Sequence, residues 1–290
     1  EPKMAINLPK VNTLLPESFE VKKNDAFEKP QVVIDEDGLQ VWQYPSQLYG
    51  DQPRGIFNVQ INNPATLHDI KANVLGALWK DLYNMNVSAL DTEANIAGMN
   101  LSLNDTTGMT LTVSGFTDKQ PQLLERAIEG LSFEVDPQAF KQAVDRYVRA
   151  LKNKGQQFPI YQSFDAYGQL IREGGFEQSD LINTAQSLSN EELEAYMDTL
   201  LGNNSIRVFA FGNYDKSDLT EAAERVKASL PNDRNITDFE TAKFWKPQSN
   251  KAVVLHKDLE VADVALVDAH IHPEPGFKAQ AAGTLSLIHI

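Results

Sequence analysis

Residues 95–120 constrain the fold more than any other part of the chain, because three structural periodicities follow one another within them. Apolar and polar residues alternate from 99 to 103, which is the period of a half-buried strand. A β-branched run over 110–114 indicates a second strand, and the turn-forming residues 104–108 separate the two. We therefore predict an antiparallel hairpin, with Gly108 supplying a positive φ in its turn.

The hairpin is predicted to lie between two helices. Gly98 marks the end of the preceding helix, and Gly115 is predicted to break the second strand where a side chain does not fit. Asp118 is placed to cap the following helix, with Pro121 in its first turn, where a missing N–H costs nothing. A helix, a hairpin and a helix in this order indicate an α+β domain.

The other elements follow from the same two periodicities, alternation for strands and a 3.6-residue repeat for helices. Strands are predicted over 32–34, 39–44, 56–61, 206–211, 252–255 and 264–271. Helices are predicted over 68–82, 87–97, 120 onward, 137–151, 159–170, 189–202 and 217–230. The predicted fold class is α+β, with an antiparallel or mixed sheet packed against helices.

Two of these helices have recognisable starts. Asp136 followed by Pro137 gives the N-cap and first residue of a long amphipathic helix. Ser189 and Glu192 have the spacing of a capping box, in which each side chain bonds the main-chain N–H of the other residue. Both positions therefore predict where a helix begins.

The domain organisation is predicted from turn-rich and proline-rich segments. Residues 1–26 contain regularly placed prolines and few periodic apolar positions, so we predict an extended interdomain linker that lies on a neighbour. A domain over 27–235 follows, and the polar residues 231–235 form the best internal boundary. Residues 236–290 are predicted to be the incomplete start of a second, similar domain.

Charge and composition exclude several function classes. The formal net charge is −14 and no Lys/Arg cluster is present, so we expect neither a nucleic-acid partner nor an anionic membrane surface. The absence of cysteine excludes a disulfide framework and a thiolate nucleophile. No apolar run is long enough to span a membrane.

Catalytic motifs are not found, with one exception. Phosphate loops, nucleophile elbows and paired-histidine helices are missing, and residues 212–217 are interpreted as a plain strand-to-helix turn. Within 267–273, His270 and His272 lie on one face of a predicted strand, as two metal ligands from one strand would. This pattern resembles the first metal-binding strand of the amidohydrolase superfamily, which makes an amidohydrolase fragment one alternative. The other interpretation is a strand with one buried face and exposed imidazoles, and it leaves the metal site unassigned.

The remaining polar candidates are explained without chemistry. His68 is interpreted as a surface or capping residue and His256 as a lone histidine at a strand end. Glu191, Glu192 and Glu194 suit the N-terminus of a helix electrostatically. Three tryptophans are predicted to be packing residues: Trp42, Trp79 and Trp245. No catalytic residue is assigned, and the substrate-binding residues stay unknown.

Five segments in register resemble a known family. These segments are residues 8–19, 95–99, 115–121, 133–140 and 211–213. Together they are similar to the second half of the pitrilysin and insulysin (insulinase) family of zinc metallopeptidases, and the resemblance covers roughly residues 5–283.

That resemblance implies a clam-shell enzyme of two halves, each made of two homologous α+β domains, around a chamber for a peptide. The zinc and its inverted His-x-x-Glu-His motif belong to the first domain. This chain corresponds to the linker, the third domain and the opening of the fourth, and no functional residue of the family can be carried over to it. We therefore expect a non-catalytic fragment of a zinc metalloendopeptidase that is inactive alone.

The same resemblance implies the cofactor, the partners and the compartment. Zinc is expected only in the parent enzyme, and the partners are its N-terminal catalytic half and peptide substrates. A bacterial parent is expected in the periplasm rather than the cytoplasm. A stand-alone, non-peptidase binding or scaffold protein of the same fold is the alternative from another class.

Overall fold

The structure of the chain is a computed structural model, and it describes residues 11–25, 27–63, 69–104, 109–202, 204–230, 243–246, 248, 251–269, 276–278 and 281. The chain divides into two compact units. The first comprises Glu1–Arg149 and Gln178–Ala242, and the second comprises Ala150–Glu177 and Lys243–Ile290. The predicted boundary at 231–235 lies outside the described residues.

The first unit contains a mixed sheet of six strands. The strands are β1 (Gln31–Glu36), β2 (Leu39–Tyr44), β3 (Arg54–Asn62), β4 (Met99–Asn104), β5 (Met109–Phe116) and β6 (Ser205–Gly212). Their order in the sheet is β1-β2-β6-β3-β5-β4, with β2 and β6 parallel and the other pairs antiparallel. The predicted hairpin of β4 and β5 and the predicted α+β class are confirmed. Residues 105–108 of its turn, including Gly108, lie outside the described residues.

The predicted helices are present, and a further helix that the sequence pattern did not predict lies at Gln178–Ser187. They are α1 (Ile70–Asn86), α2 (Ser88–Ile96), α3 (Gln120–Glu129), α4 (Pro137–Lys154), α5 (Pro159–Ile171), α6 (Gln178–Ser187), α7 (Asn190–Gly202) and α8 (Lys216–Ser229). The N-cap of α1 is Asp69, whose side chain accepts the amide of Lys71. None of the helices in the described part of the chain has the length and apolar character needed to cross a membrane.

One face of the sheet carries the hydrophobic core. Alternate side chains along the central strands are fully buried, as a period of two requires: Leu39, Val41, Phe57, Val59, Leu111, Val113, Val208 and Ala210. They form one cluster with apolar side chains of the helices, including Val74, Leu78, Leu123, Leu193, Leu219 and Val226. The opposite face is only partly covered, since the intervening residues of β2, β5 and β6 are of intermediate exposure.

Three glycines lie side by side across three strands. Gly55 of β3 pairs with Gly115 of β5 on one side and with Gly212 of β6 on the other. Gly115 has a φ of 114°, which confirms that the position requires glycine, but it does not break β5, which continues to Phe116. The prediction of a strand end at Gly115 was wrong because glycine keeps both of its neighbours in the ladder there.

The predicted cap of α3 is also corrected. Lys119 is the N-cap residue of α3 and makes no side-chain capping bond. The carboxylate of Asp118 instead accepts the main-chain amides of Glu17 and Ser18 at 2.8 and 3.3 Å. A local capping rule therefore failed because a distant segment offered the same carboxylate two donors.

The second unit contains α5 and irregular segments. Main-chain hydrogen bonds join Trp245 N to Ile171 O and Glu173 N to Lys243 O. The strands predicted over 252–255 and 264–271 are wrong for their described residues, which form neither strand nor helix. Side chains such as Val264, which is 91% exposed, have no sheet to pack on, and β-propensity has effect only in that setting.

Candidate functional site

The sequence-predicted metal candidates are not brought together in the described structure. His270 and His272, and likewise His68, lie outside the described residues. Within the part of the chain that is described, no group of three or more His, Asp or Glu side chains could hold a metal ion. His256 is exposed and lies in an irregular segment, so its predicted position at a strand end was wrong.

The acidic start of α7 has the predicted structural role. Glu192 Oε2 accepts the amide of Ser189 at 2.9 Å, and Ser189 Oγ accepts the amide of Glu192 at 3.4 Å, which confirms the capping box. Lys71 Nζ contacts Glu192 Oε1 at 2.5 Å. This bond, together with the Ser189 amide, lowers the pKa of Glu192 below its ordinary value. In Glu191 a hydrogen bond from its own main-chain amide is the main cause of a lowered pKa.

The tryptophans divide between core and surface. Trp79 is buried, donates its indole N–H to Leu131 O at 3.0 Å and stacks on Tyr83, as a packing residue does. Trp42 is half-buried and donates to Gln40. Trp245 is 48% exposed, so the prediction that it is a packing residue was wrong.

The polar contacts that stand out belong to the amino-terminal segment. Residues 12–24, here called the strap, contain neither helix nor strand. At one end Leu14 is completely buried, and Asn12 donates its amide group to Glu93 O at 2.8 Å. The strap is therefore joined to α2 by the hydrogen bond of Asn12 and to the hydrophobic core by Leu14.

The middle of the strap lies against the residues that follow β5. Asp118 accepts the amides of Glu17 and Ser18, as described above, and Lys119 forms an ion pair with Glu17 at 2.5 Å. The ring of Phe19 meets the ring of Phe116 edge to face, with centroids 5.2 Å apart. Both apolar and polar contacts thus hold this part of the strap.

Asn213 holds the other end of the strap. Its Oδ1 accepts the amide of Lys22 at 2.6 Å, and its Nδ2 donates to Glu20 O at 2.9 Å and to Thr117 Oγ1 at 3.0 Å. The side chain of Asn24 donates to Tyr214 O at 2.9 Å. An asparagine offers two donors and one acceptor oxygen, and here all three functions are used.

Lys22 adds a charged contact at the start of α8. Its ammonium lies 3.2 Å from Asp215 and 3.8 Å from Asp218. Burial acts to lower the pKa of Lys22, but the hydrogen bond to Asp215 and the neighbouring carboxylates raise it overall. Burial is also the main reason that the pKa of Asp218 is raised. In Asp215 burial acts to raise the pKa, but hydrogen bonds from the amide of Asp218 and from Lys22 lower it overall.

A small polar cavity lies beneath the strap. It has a volume of about 120 Å³, and its lining includes Ser18, Glu20 and Lys22 of the strap together with Gln122 and Tyr214. Gln122 Oε1 is buried without a hydrogen-bond partner in the described structure. A cavity of this size is large enough to hold ordered water molecules that hydrogen-bond its polar lining.

Tyr214 forms the floor of this region. Its ring lies 4.2 Å from the ring of Phe57, and its hydroxyl donates to Gln120 Oε1. Gln120 Nε2 in turn donates to Gly55 O and Gly115 O, at 3.0 and 3.1 Å. Because burial raises the pKa of Tyr214 well above its ordinary value, this phenol is neutral and acts as a donor, not as a base.

Sequence reasoning missed the strap contacts. The sequence pattern predicts a plain turn at 212–217, although the side chain of Asn213 forms hydrogen bonds with two distant segments, the strap and the residue after β5. The partners of Asn213 in the strap are 191 and 193 positions away, so no local pattern could reveal them. The only signal was the inclusion of 8–19, 115–121 and 211–213 among the family-like segments.

Comparison with known proteins gives a match over the part of the chain that contains the strap. A family model described as the middle or third domain of peptidase M16 matches residues 1–184. The chain is 24% identical over 229 residues to Protease 3 of Salmonella typhimurium and 26% identical over 233 residues to the A-factor-processing enzyme of Saccharomyces cerevisiae. These alignments include 78% and 79% of this chain, and 24% and 23% of the respective relatives.

A solved structure shows the same fold. The crystal structure of pitrilysin superimposes with a TM-score of 0.75 at 22% identity, covering 79% of this chain and 25% of pitrilysin. The chain spans about a quarter of the length of the curated relatives it matches. Since the family model covers more than half of the chain, the chain belongs to the M16 peptidase family, in which it corresponds to the middle or third domain.

Proposed function

We propose that this chain is a non-catalytic part of an M16 zinc metalloendopeptidase, in which it closes the substrate chamber and helps to hold the peptide. The family membership supports the reaction class, hydrolysis of peptide bonds. The observation that carries the specific role is the strap. Its contacts with Asp118 and Asn213 fix the segment that, in the family, leads from the catalytic half.

The strap gives this role a physical basis. A chain of flexible residues would let two halves of an enzyme separate freely, whereas a segment bound along a domain shortens the free tether. A shorter tether raises the effective concentration of one half near the other. The domain therefore favours the closed arrangement without supplying a catalytic group.

Zinc is assigned to the catalytic half of the parent. The described residues do not fit a zinc site, because a catalytic zinc needs three protein ligands and these residues assemble no such group. No step of the reaction is assigned to a residue of this chain. The partners in this proposal are the catalytic half of the same polypeptide and peptide substrates, and the compartment is the periplasm.

The test uses the catalytic half with and without this chain. Co-expression with the chain is expected to raise zinc-dependent cleavage of a fluorogenic peptide above the level of the catalytic half alone. The chain by itself is expected to give no turnover. Zinc-dependent cleavage by the chain alone, or no effect of the chain on the catalytic half, would overturn the proposal. If the chain leaves the cleavage activity of the catalytic half unchanged, the stand-alone scaffold alternative is favoured.

A further inference from the structure

The strap meets the folded domain at sites that are far apart along the sequence but close in space. One end is held by the hydrogen bond of Asn12 to Glu93 O in α2 and by Leu14 in the hydrophobic core. The other end is held at the residues after β6, by Asn213 and by the contact of Asn24 with Tyr214. We infer that residues 12–24 are an anchored part of the domain, and that Asn213 couples them to the turns after β5 and β6.

Asn213 is placed to make this coupling. It is 7% exposed and bonds the strap at Glu20 O and Lys22 N. Its remaining amide hydrogen goes to Thr117, which directly follows β5. One neutral side chain therefore joins the strap to the residues that lead into α3 and α8, and displacing the strap breaks bonds at both turns.

The coupling depends mainly on main-chain groups of the strap. Asp118 accepts two strap amides, and Asn213 binds one strap amide and one strap carbonyl. Such contacts fix the path of the backbone whatever side chains the strap carries. The ion pairs of Lys22 and Lys119 are partly exposed and add less, because solvent and salt screen them.

A functional consequence follows for the parent enzyme. If the strap is anchored, a pull on the chain that precedes it in the parent enzyme acts directly on the residues after β5 and β6, which Asn213 joins to the strap. This consequence rests on the proposed function for the identity of the preceding chain. The anchoring itself does not, because all of its contacts lie within this chain.

Hydrogen exchange of single amides in the intact chain tests the anchoring. The amides of Glu17 and Lys22 are expected to exchange more slowly than in an unstructured peptide. Asn213→Ala is expected to speed exchange at Lys22 by about tenfold, as loss of roughly one to two hydrogen bonds predicts. The core amide of Val208 serves as the reference for global unfolding, and Asn86→Ala is the matched control, since Asn86 bonds only Gly130 O among its described contacts.

Each outcome decides the inference. The inference is overturned if the amide of Lys22 exchanges as fast as in a free peptide. It is also overturned if Asn213→Ala changes exchange at Lys22 no more than Asn86→Ala does. If Asn213→Ala also speeds exchange at Val208, the variant Asp118→Ala is used in its place, and the amides of Glu17 and Ser18 are the reporters. Unchanged exchange at these two amides likewise overturns the anchoring. The hydrogen-exchange experiment does not depend on peptide cleavage. Its outcome therefore tests the anchoring of the strap independently of the proposed enzyme role.

Discussion

The phenol ring of Tyr214 occupies the space that a side chain at Gly55 would need. A Cβ atom built on Gly55 would lie 2.5 Å from the ring, closer than real Cβ atoms approach their neighbours. Tyr214 is held there by the ring of Phe57 and by its hydrogen bond to Gln120. The glycine at position 55 therefore leaves room for the tyrosine that lines the polar cavity next to the strap.

The first prediction concerns this close approach. Gly55→Ala is expected to lower the free energy of unfolding by about 1 to 3 kcal/mol, the usual cost of overpacking a core, because the buried ring cannot swing aside. Urea denaturation measures the change. Gly202→Ala is the matched control, since nothing lies within 4 Å of a Cβ at Gly202. Equal midpoints for the two variants would contradict the packing argument.

The second prediction removes the hydroxyl of Tyr214 and keeps its ring. Tyr214→Phe leaves Gln120 Oε1 without its donor in a buried position, which costs about 1 to 3 kcal/mol of stability. The contact with Phe57 is retained, so the loss reports the hydrogen bond and not the packing. A thermal or urea midpoint equal to that of the wild type would show that Gln120 finds another partner.

The third prediction concerns Gly115, whose φ is 114°. A Cβ there would lie 2.3 Å from Gly98 O and 2.7 Å from Met99 Cα, and backbone cannot move away as a side chain can. Gly115→Val is expected to destabilise the fold by about 1 to 3 kcal/mol, the range for strained backbone. Ser114→Val adds similar bulk one residue earlier on the half-open face and is the control. An unchanged urea midpoint for Gly115→Val would remove the argument for a special backbone.

Most of the sheet and helices could be predicted because their signals are local. Residues 39–44 alternate between buried and half-buried side chains, as the sequence pattern indicates. The parallel pairing of β2 with β6 could not be predicted, since it joins residues such as Leu39 and Ile206 that are far apart in sequence. The pairing depends on how the intervening helices pack, and no short pattern encodes that.

The site was harder to predict than the fold for a related reason. Asp118 has the local features of a helix cap, yet it binds strap amides about 100 positions away. Asn213 follows a glycine after a strand, as many turn residues do, and its strap partners are still more remote, at 191 and 193 positions. Polar side chains at turns serve whichever donor or acceptor the tertiary fold brings close. Only the resemblance to a family pointed to these segments together.

The fourth prediction is a pH dependence. The hydrogen bond from Lys71 depresses the pKa of Glu192 from its ordinary value of 4.5, so the pair stabilises the folded state above that pH. The contribution disappears as the pH falls through the lowered pKa and the carboxyl becomes protonated. Glu192→Gln retains an acceptor for the Ser189 amide but loses the ion pair.

The measurement compares unfolding free energies across pH. Glu192→Gln is expected to be less stable than the wild type near pH 7, and the two are expected to converge once the pH falls below the lowered pKa of Glu192, where the wild-type carboxyl is protonated. Glu194→Gln makes the same charge change in the same helix and is the control. A difference that persists at low pH would show that the capping box, not the charge, was disturbed.

The last prediction concerns metal binding by the chain alone. A functional zinc site needs three protein ligands and a general base, and the described residues assemble no group of three ligating side chains. His270 and His272 lie outside the described residues and would supply two ligands at most. Equilibrium dialysis is therefore expected to find no stoichiometric zinc, and a peptide-cleavage assay no turnover. Stoichiometric zinc in the wild type that disappears in the double variant His270→Ala, His272→Ala would establish the metal site instead, and would favour the amidohydrolase-like interpretation of residues 267–273.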